Sequence, residues 1–301
     1  MSNTQELITI RDFLRWTTSR FNEAGLFYGH GTDTAWDEAC ALILHSLHLP
    51  HDIHPEVIDA RLTSEERDLL FTLIQRRIKE RIPVPYLTHT AWFAGLSFYV
   101  DERVLIPRSP IAELIEHQFQ PWIELNLVEN ILDLCTGSGC IAIALAKNFP
   151  DTHIDASDIS TDALAVAKIN ILRHQVEDQV TLYQSDLFDQ LPAKKYDIIV
   201  SNPPYVDDID MSELPKEYHH EPSLGLVAGK QGLDIVLRIL KHASKFLTPH
   251  GILIIEVGNS EWALQETFPE IPFTWLEFQR GGGGVFLLTA DQLAMSDFSH
   301  T

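Results

Sequence analysis

From Ile131 onwards, short apolar runs alternate with helical segments, and this alternation constrains the fold more than any other feature of the chain. Strands that are joined through helices lie parallel in one sheet and are covered on both faces, so they read as nearly continuous apolar runs. The pattern predicts an α/β fold with a mostly parallel sheet. We expect seven strands, at Ile131–Cys135, His153–Asp158, Val180–Gln184, Tyr196–Ser201, Gly251–Val257, Phe273–Phe278 and Val285–Leu288. The expected helices between them are Cys140–Asn148, Thr161–Arg173, Gly232–Phe246 and Glu261–Phe268.

The first third of the chain has a different, helical pattern. Apolar residues fall on one helical face around Phe13 and Leu14, and again around Leu70 and Ile74. A short apolar stretch follows that predicts a β-hairpin turning near Gly95. We therefore predict three parts in chain order: a helical domain over residues 1–88, a β-hairpin linker over 89–110 and an α/β domain over 111–301.

The balance of charge bears on the partners. The net charge is -21, from 43 acidic and 22 basic side chains, and such a surface repels nucleic acid and anionic membranes but suits a basic partner. No apolar run approaches the roughly 20 residues of a membrane span, and the amino terminus does not read as a secretion signal. The 3 cysteines, an odd number, favour a reducing compartment. We expect a cytoplasmic protein with no membrane segment and no direct DNA binding.

Histidines in the helical part raise the question of a metal. His45, His48, His51 and His54 are close in sequence, but two prolines break the helical continuity between them. Surface histidines at a helix–loop junction explain this spacing better. We predict no metal site.

A polar turn directly follows the fourth predicted strand. The residues are Asn202, Pro203, Pro204 and Tyr205, and consecutive prolines end the strand because they cannot continue its ladder. The turn therefore lies at the carboxyl edge of the sheet, where α/β folds bind ligands. The Asn202 side-chain oxygen and the Pro203 carbonyl can accept both hydrogens of an amide nitrogen and hold its lone pair towards an electrophile. The flat face of Tyr205 can pack against a planar amide or base. The alternative is an ordinary proline-rich turn.

A glycine loop follows the first predicted strand. Gly137 and Gly139, with Ala142, formally match a dinucleotide fingerprint, and Asp158 lies 19 residues after Gly139. However, Asp133 would place negative charge beside a pyrophosphate. S-adenosylmethionine fits better, because its ammonium tolerates Asp133, the glycines allow close approach and Asp158 can accept both ribose hydroxyls.

The third predicted strand adds a further acid to the same edge. Asp186 suits recognition of an adenine amino group, with Leu187 or Phe188 against the ring. The alternative for Asp186 is a turn cap. The order of the glycine loop, Asp158, Asp186 and Asn202 is specific, although each feature alone is not.

Together, the segments Asp133–Gly139 and Asn202–Tyr205 resemble the class I methyltransferases that modify the side-chain amide of glutamine. This family has two bacterial branches, one acting on peptide release factors and one on the third large-subunit ribosomal protein. The segment Leu105–Leu114 is similar to the ribosomal-protein branch, as are Tyr218–Pro222, Glu256–Ser260 and Thr274–Phe278. Leu187 departs from the release-factor branch, which tends to have an aromatic residue there. Apart from this resemblance, the residues leave open which of the two proteins is the substrate.

The resemblance implies a Rossmann-like sheet with an antiparallel last strand, S-adenosylmethionine as methyl donor, and substrate recognition by the helical domain. The implied substrate is a basic ribosomal protein, free or in an assembly intermediate. It implies catalytic roles for Asn202, Pro203 and Tyr205, and a substrate site completed by Pro204 and Arg108. The implied cofactor site comprises Asp133, Cys135, Thr136, Gly137, Ser138, Gly139, Asp158, Ile159, Asp186, Leu187 and Asn202.

The predicted reaction is direct methyl transfer from a sulfonium to a glutamine amide nitrogen, driven by orientation and by acceptors placed near the nitrogen. One alternative is methylation of adenine in DNA, which uses the same turn but needs a basic groove for a flipped base. Another is a cofactor-sensing module without turnover, which would have no need for acceptors aimed at a nitrogen.

Overall fold

The computed structural model describes residues 6–298. These residues form two compact units. The helical unit comprises residues 6–91 and 215–220, and the α/β unit comprises 92–214 and 221–298. The helical unit therefore includes a short segment from the second half of the chain.

The helical unit is built from four helices, α1 (Ile10–Glu23), α2 (Ala35–Ser46), α3 (Ser64–Glu80) and α4 (Val84–Thr88). Thr9 and Thr63 start α1 and α3 with capping boxes, in which each threonine hydroxyl accepts from a backbone amide of the first turn. Apolar residues at helical spacing, such as Phe13 and Ile74, are fully buried in its core.

A buried ionic cluster crosses this core. Arg77 of α3 pairs with Glu38 of α2 and with Glu217, and all three side chains are at most 3% exposed. The Arg77 guanidinium also donates to the Phe27 carbonyl at 2.9 Å. Burial raises the pKa of Glu38 to about 7, although the nearby Arg77 opposes that rise. Arg77 thus compensates two buried carboxylates, and Arg81, which is 24% exposed, also pairs with Glu217 at 3.4 Å.

The α/β unit opens with a hairpin of β1 (Ala91–Phe93) and β2 (Leu96–Phe98), which turns at Ala94 and Gly95 as predicted. Helix α5 (Ile111–Glu116) precedes the main sheet. The sheet strands are β3 (Asn130–Leu134), β4 (His153–Asp158), β5 (Val180–Gln184), β6 (Tyr196–Ser201), β7 (Leu247–Glu256), β8 (Thr274–Trp275) and β9 (Val285–Thr289). The remaining helices are α6 (Cys140–Asn148), α7 (Thr161–His174), α8 (Asp208–Glu213), α9 (Asp234–Ala243), α10 (Glu261–Thr267) and α11 (Ala290–Met295).

The seven strands lie in the order β5-β4-β3-β6-β7-β9-β8. The first five pair in parallel, and β9 pairs antiparallel with β7. Successive residues of β3 point to opposite faces, so Ile131 belongs to one apolar cluster and Leu132 to the other. The predicted α/β class, with a mostly parallel seven-stranded sheet and an antiparallel last strand, is confirmed.

Several predicted elements differ in extent, among them strand β7, which begins at Leu247 and not at Gly251. The strand expected over Phe273–Phe278 pairs only at Thr274 and Trp275, because the chain then leaves the sheet and the Gln279 amide donates to Glu113. The helix expected from Gly232 begins at Asp234, since Gly232 has a φ of +68°, which is incompatible with a helix. Over the described residues, every helix is too short or too polar to cross a bilayer.

Candidate active site

The carboxyl ends of the central strands meet at one edge of the sheet. In β3, Leu134 is in register with Ser157 of β4 and with Ser201 of β6. The residues that follow these strands therefore emerge side by side. They line a cavity of about 230 Å³.

Eleven of the predicted site residues line this cavity, and four do not. Those that line it are Arg108, Cys135, Thr136, Gly137, Ser138, Asp158, Ile159, Asp186, Leu187, Asn202 and Pro204. Asp133, Gly139, Pro203 and Tyr205 are absent from its wall. Pro203 is buried behind the wall, and the contacts of Asp133, Gly139 and Tyr205 explain why these three lie outside it.

The glycine loop needs its glycines for two different reasons. Gly137 has a φ of +55°, and a Cβ there would meet no atom within 4 Å, so the backbone is open to the cavity. Gly139 has a φ of +79°, and a Cβ there would lie 3.2 Å from the Cβ of Ala167. Gly139 thus allows α6 and α7 to pack closely, whereas Gly137 exposes the backbone to a ligand.

Asp158 organises the loop from the neighbouring strand. Its Oδ2 accepts from the Gly137 amide at 2.9 Å, and its Oδ1 accepts from the Ser160 amide at 2.9 Å. Burial raises the pKa of Asp158, while these amides favour the ionised form. The carboxylate holds the loop and still borders the cavity.

Asp133 lies beneath the loop instead of beside the cavity. It is fully buried, and its Oδ2 accepts from the Thr136 hydroxyl at 2.6 Å and from the Ala142 amide at 3.1 Å. Its Oδ1 is buried without a hydrogen-bond partner among residues 6–298, and burial raises the pKa of the group to about 7. Asp133, predicted as part of the cofactor site, therefore supports the loop from beneath and does not line the cavity.

Two cysteines also line this part of the cavity. Burial raises the pKa of both Cys135 and Cys140. The thiolate is the nucleophilic form of cysteine. These side chains therefore act as small apolar groups at neutral pH.

The end of β5 supplies the far side of the cavity. Asp186 Oδ2 pairs with Arg238 of α9 at 2.9 Å, and both side chains are partly exposed. Leu187 lines the cavity, whereas Phe188 stacks on Phe246 with ring centroids 4.6 Å apart. Of the two residues considered for the ring contact, Leu187 is therefore the one in position. Sequence reasoning missed Arg238, which had no local signal in its helix.

The N-P-P-Y turn, residues 202–205, is held at its last residue. The Tyr205 hydroxyl donates to Glu256 at 3.0 Å, and the Tyr205 carbonyl accepts from the Ser260 hydroxyl at 3.0 Å. A Cβ on Gly258 would lie 2.5 Å from the Tyr205 ring. The ring thus packs on backbone instead of facing the cavity as predicted, while Asn202 and Pro204 border the cavity.

A second wall completes the cavity opposite the glycine loop. It combines the 103–110 loop with residues 222–227, which we call the rim segment. Arg108 donates to Glu221 at 2.8 Å and to the Ile106 carbonyl at 3.1 Å. Sequence reasoning missed the rim segment, whose members in the wall are Pro222, Leu224, Gly225 and Val227.

Comparisons with known proteins identify sequence relatives of this chain. The methyltransferase small domain family matches residues 117–216. A ribosomal protein uL3 glutamine methyltransferase from Francisella tularensis is 51% identical over 95% of this chain and 92% of its own length. One from Neisseria meningitidis is 54% identical, over 96% of this chain and 95% of its own. Among solved structures, the hMettl16 catalytic domain in complex with MAT2A 3'UTR hairpin 1 has a TM-score of 0.49 and 18% identity, covering 78% of this chain and 83% of that one.

The two bacterial relatives share more than half of their residues with this chain over nearly its full length. They confirm the resemblance to the ribosomal-protein branch and favour it over the release-factor branch. S-adenosylmethionine is the cofactor of this class of enzyme. The chain belongs to the family of ribosomal protein uL3 glutamine methyltransferases.

Proposed function

We propose that this protein transfers the methyl group of S-adenosylmethionine to the side-chain amide nitrogen of a glutamine in ribosomal protein uL3. The observation that carries the proposal is that Asn202 and Pro204 line the same cavity as Gly137 and Asp158. Donor and acceptor groups can therefore meet in one cavity. Incubating the purified protein with cofactor and uL3, followed by peptide mass spectrometry, tests the proposal.

The cofactor half of the cavity is the part between the glycine loop, Asp158 and Asp186. The bare backbone at Gly137 leaves room for the methionine portion. Asp158 holds the ribose, and Asp186 with Leu187 flanks the adenine. When bound, S-adenosylmethionine supplies an electrophilic methyl group on a sulfonium.

The acceptor half is the part between the N-P-P-Y turn, the 103–110 loop and the rim segment. The Asn202 oxygen accepts one amide hydrogen of the glutamine at the cavity wall. We assign the second hydrogen to the carbonyl of Pro203, the next residue of the turn, although Pro203 itself is buried behind the wall. Two such acceptors keep the nitrogen lone pair aimed at the methyl group. Asn202 borders the cavity, where its side-chain oxygen can face an acceptor amide. Leu105 and Val227 cover the methylene groups of the glutamine side chain, and Pro204 shapes the turn.

Charge supports a basic protein as the partner. The net charge of -21 favours steering of a basic ribosomal protein, free or in an assembly intermediate, and disfavours binding to DNA. In this proposal the reaction takes place in the cytoplasm, and the predicted helical domain of residues 1–88 recognises the substrate. The hairpin region of residues 89–110 links it to the catalytic domain of residues 111–301.

Asp158→Ala is expected to raise the cofactor Kd about tenfold to a hundredfold, the range for losing hydrogen bonds to a charged group. At saturating cofactor, kcat should fall much less, because Asp158 does not approach the acceptor. Isothermal titration and initial rates separate the two effects. Asp151→Ala, an exposed carboxylate in the turn before β4, is the matched control. A large fall in kcat at unchanged cofactor Kd would contradict the assigned role.

Leu224→Ala is expected to raise KM for uL3 about fivefold, because a partly buried leucine contact is lost at the rim. Leu224 is 58% exposed although it borders the cavity, which suits contact with residues that flank the target glutamine. Steady-state rates at varied uL3 measure the change, with kcat and cofactor Kd nearly constant. Leu172→Ala, on the outer face of α7 and 55% exposed, should leave KM unaltered. Equal effects of the two variants would exclude a specific contact at Leu224.

A further inference from the structure

Two buried carboxylates adjoin the acceptor half of the cavity without lining it. Glu256 ends β7, and Glu221 precedes the rim segment. Each residue is only 5% exposed, and neither belongs to the cavity wall. Burying a carboxylate is costly unless it is paired and hydrogen-bonded. The contacts that offset this cost show which segments each carboxylate holds together.

Glu256 joins the N-P-P-Y turn to the 103–110 loop. Its Oε1 accepts from the Tyr205 hydroxyl at 3.0 Å, and its Oε2 accepts from the Ser109 hydroxyl. Burial raises the pKa of Glu256, while these two hydroxyls and the charge of Arg108 oppose that rise. The same carboxylate therefore holds two segments that are far apart in sequence.

Glu221 joins the same part of the 103–110 loop to the rim segment, through Ile106 and Arg108 next to Ser109. Its Oε2 accepts from Arg108 at 2.8 Å and from the Ile106 amide at 3.0 Å. Pro222 and the rim segment follow directly in the chain. The Arg108 guanidinium and the Ile106 amide, both in the loop, thus donate to the same buried carboxylate oxygen of Glu221.

The third side of this arrangement is a backbone link. Val206, next to the turn, forms a bridge with Val227 at the end of the rim segment. The Val206 amide donates to the Leu226 carbonyl at 2.8 Å, and the Ala228 amide donates to the Val206 carbonyl at 3.0 Å. The turn, the loop and the rim segment are therefore linked pairwise into a closed ring around the acceptor.

We propose that Glu256 and Glu221 are positioning residues that fix the 103–110 loop against the N-P-P-Y turn and the rim segment, and so set the geometry in which the acceptor amide is held. The proposal deepens the proposed function and rests on it for the identity of the acceptor. Neither carboxylate touches substrate. Loss of either opens the ring and loosens the loop, whereas the cofactor half keeps its contacts.

Glu256→Gln and Glu221→Gln test this role with little change in shape. Each is expected to lower kcat about tenfold to a hundredfold, because an amide accepts weaker hydrogen bonds than a carboxylate, while cofactor Kd changes less than about twofold. The double variant should be little worse than the poorer single variant, because both carboxylates hold the same loop. A purely structural role would instead lower stability and cofactor affinity together with kcat.

The matched control is Glu113→Gln. Glu113 likewise holds a loop through hydrogen bonds to its carboxylate, here from the Gln279 and Arg280 amides, and it lies outside the cavity wall. This variant should lower stability and leave kcat unaltered. If Glu256→Gln fails to fold, Tyr205→Phe takes its place, because it removes one link and keeps the carboxylate.

Hydrogen exchange of backbone amides tests the positioning role independently of which residue is methylated. With cofactor bound, peptides that cover residues 103–110 should exchange about tenfold faster in Glu256→Gln and Glu221→Gln than in the wild type or in Glu113→Gln. Unchanged exchange in this loop would overturn the inference even if wild-type protein methylates glutamine. Wild-type label on a residue other than glutamine would instead refute the proposed function.

Discussion

Replacing Asn202 by alanine is expected to lower kcat about 100- to 1,000-fold, the range for removing one preorganised hydrogen-bonding group at a reacting centre. An amide nitrogen is a poor nucleophile because its lone pair is delocalised into the carbonyl. Only a nitrogen whose hydrogens are held by fixed acceptors presents that lone pair to the methyl group. The alanine variant keeps the Pro203 carbonyl but loses the side-chain acceptor.

The cofactor Kd of Asn202→Ala should stay within about threefold of the wild type, since the glycine loop and Asp158 provide the main contacts. Rapid-quench kinetics and titration calorimetry measure the two quantities separately. Asn130→Ala is a suitable control, because Asn130 begins β3 at the opposite edge of the sheet and its side chain accepts from Lys194. Equal losses of turnover and cofactor affinity would mean that Asn202 merely shapes the donor site.

Arg77→Ala is expected to reduce the free energy of unfolding by about 3–5 kcal/mol, the usual result of removing one partner from a buried ion pair. The variant leaves Glu38 and Glu217 buried without their shared cation. Urea unfolding followed by circular dichroism measures the loss. Arg76→Ala is the neighbouring control, because Arg76 is exposed and pairs with Glu80 on the surface, where such pairs contribute about 1 kcal/mol at most.

The loss in Arg77→Ala should also depend on pH. Burial already raises the pKa of Glu38 from 4.5 to about 7, so the folded protein binds a proton in that range that the unfolded chain has released. The Glu38 carboxyl therefore contributes less to the free energy of unfolding as the pH rises from 4.5 to about 7. Without Arg77 the pKa rises further, so the destabilisation should be smaller near pH 5 than above pH 7. A loss that is independent of pH would show that the carboxylate regains water in the variant.

The sheet and the position of the N-P-P-Y turn were predictable because both follow from local signals. The β-branched run Tyr196–Ser201 had to end at two prolines, and parallel strands bring their carboxyl ends to one edge. Asn202 and Asp158 were therefore expected at one site. The structure brings both of them to the same cavity.

What could not be predicted depends on contacts between distant segments. Nothing local to Tyr205 reveals that its hydroxyl is bound by Glu256, which turns its ring away from the cavity. Asp133 alternates with apolar neighbours in β3, but only the packing of α6 shows that its carboxylate caps the loop from below. Arg238 lies in an amphipathic helix whose sequence pattern is fully explained by packing of its apolar face. Nothing in that pattern indicates that Arg238 pairs with Asp186.

The most direct test of the account follows the methyl group itself. The purified protein is incubated with methyl-labelled S-adenosylmethionine and, in separate reactions, with uL3 and a peptide release factor, and the label is located by fragmenting the peptides. The account predicts label on uL3 alone, at a single glutamine side-chain nitrogen, and its loss with Asn202→Ala. Label on the release factor, on a backbone or lysine nitrogen, or on no protein at all would contradict it.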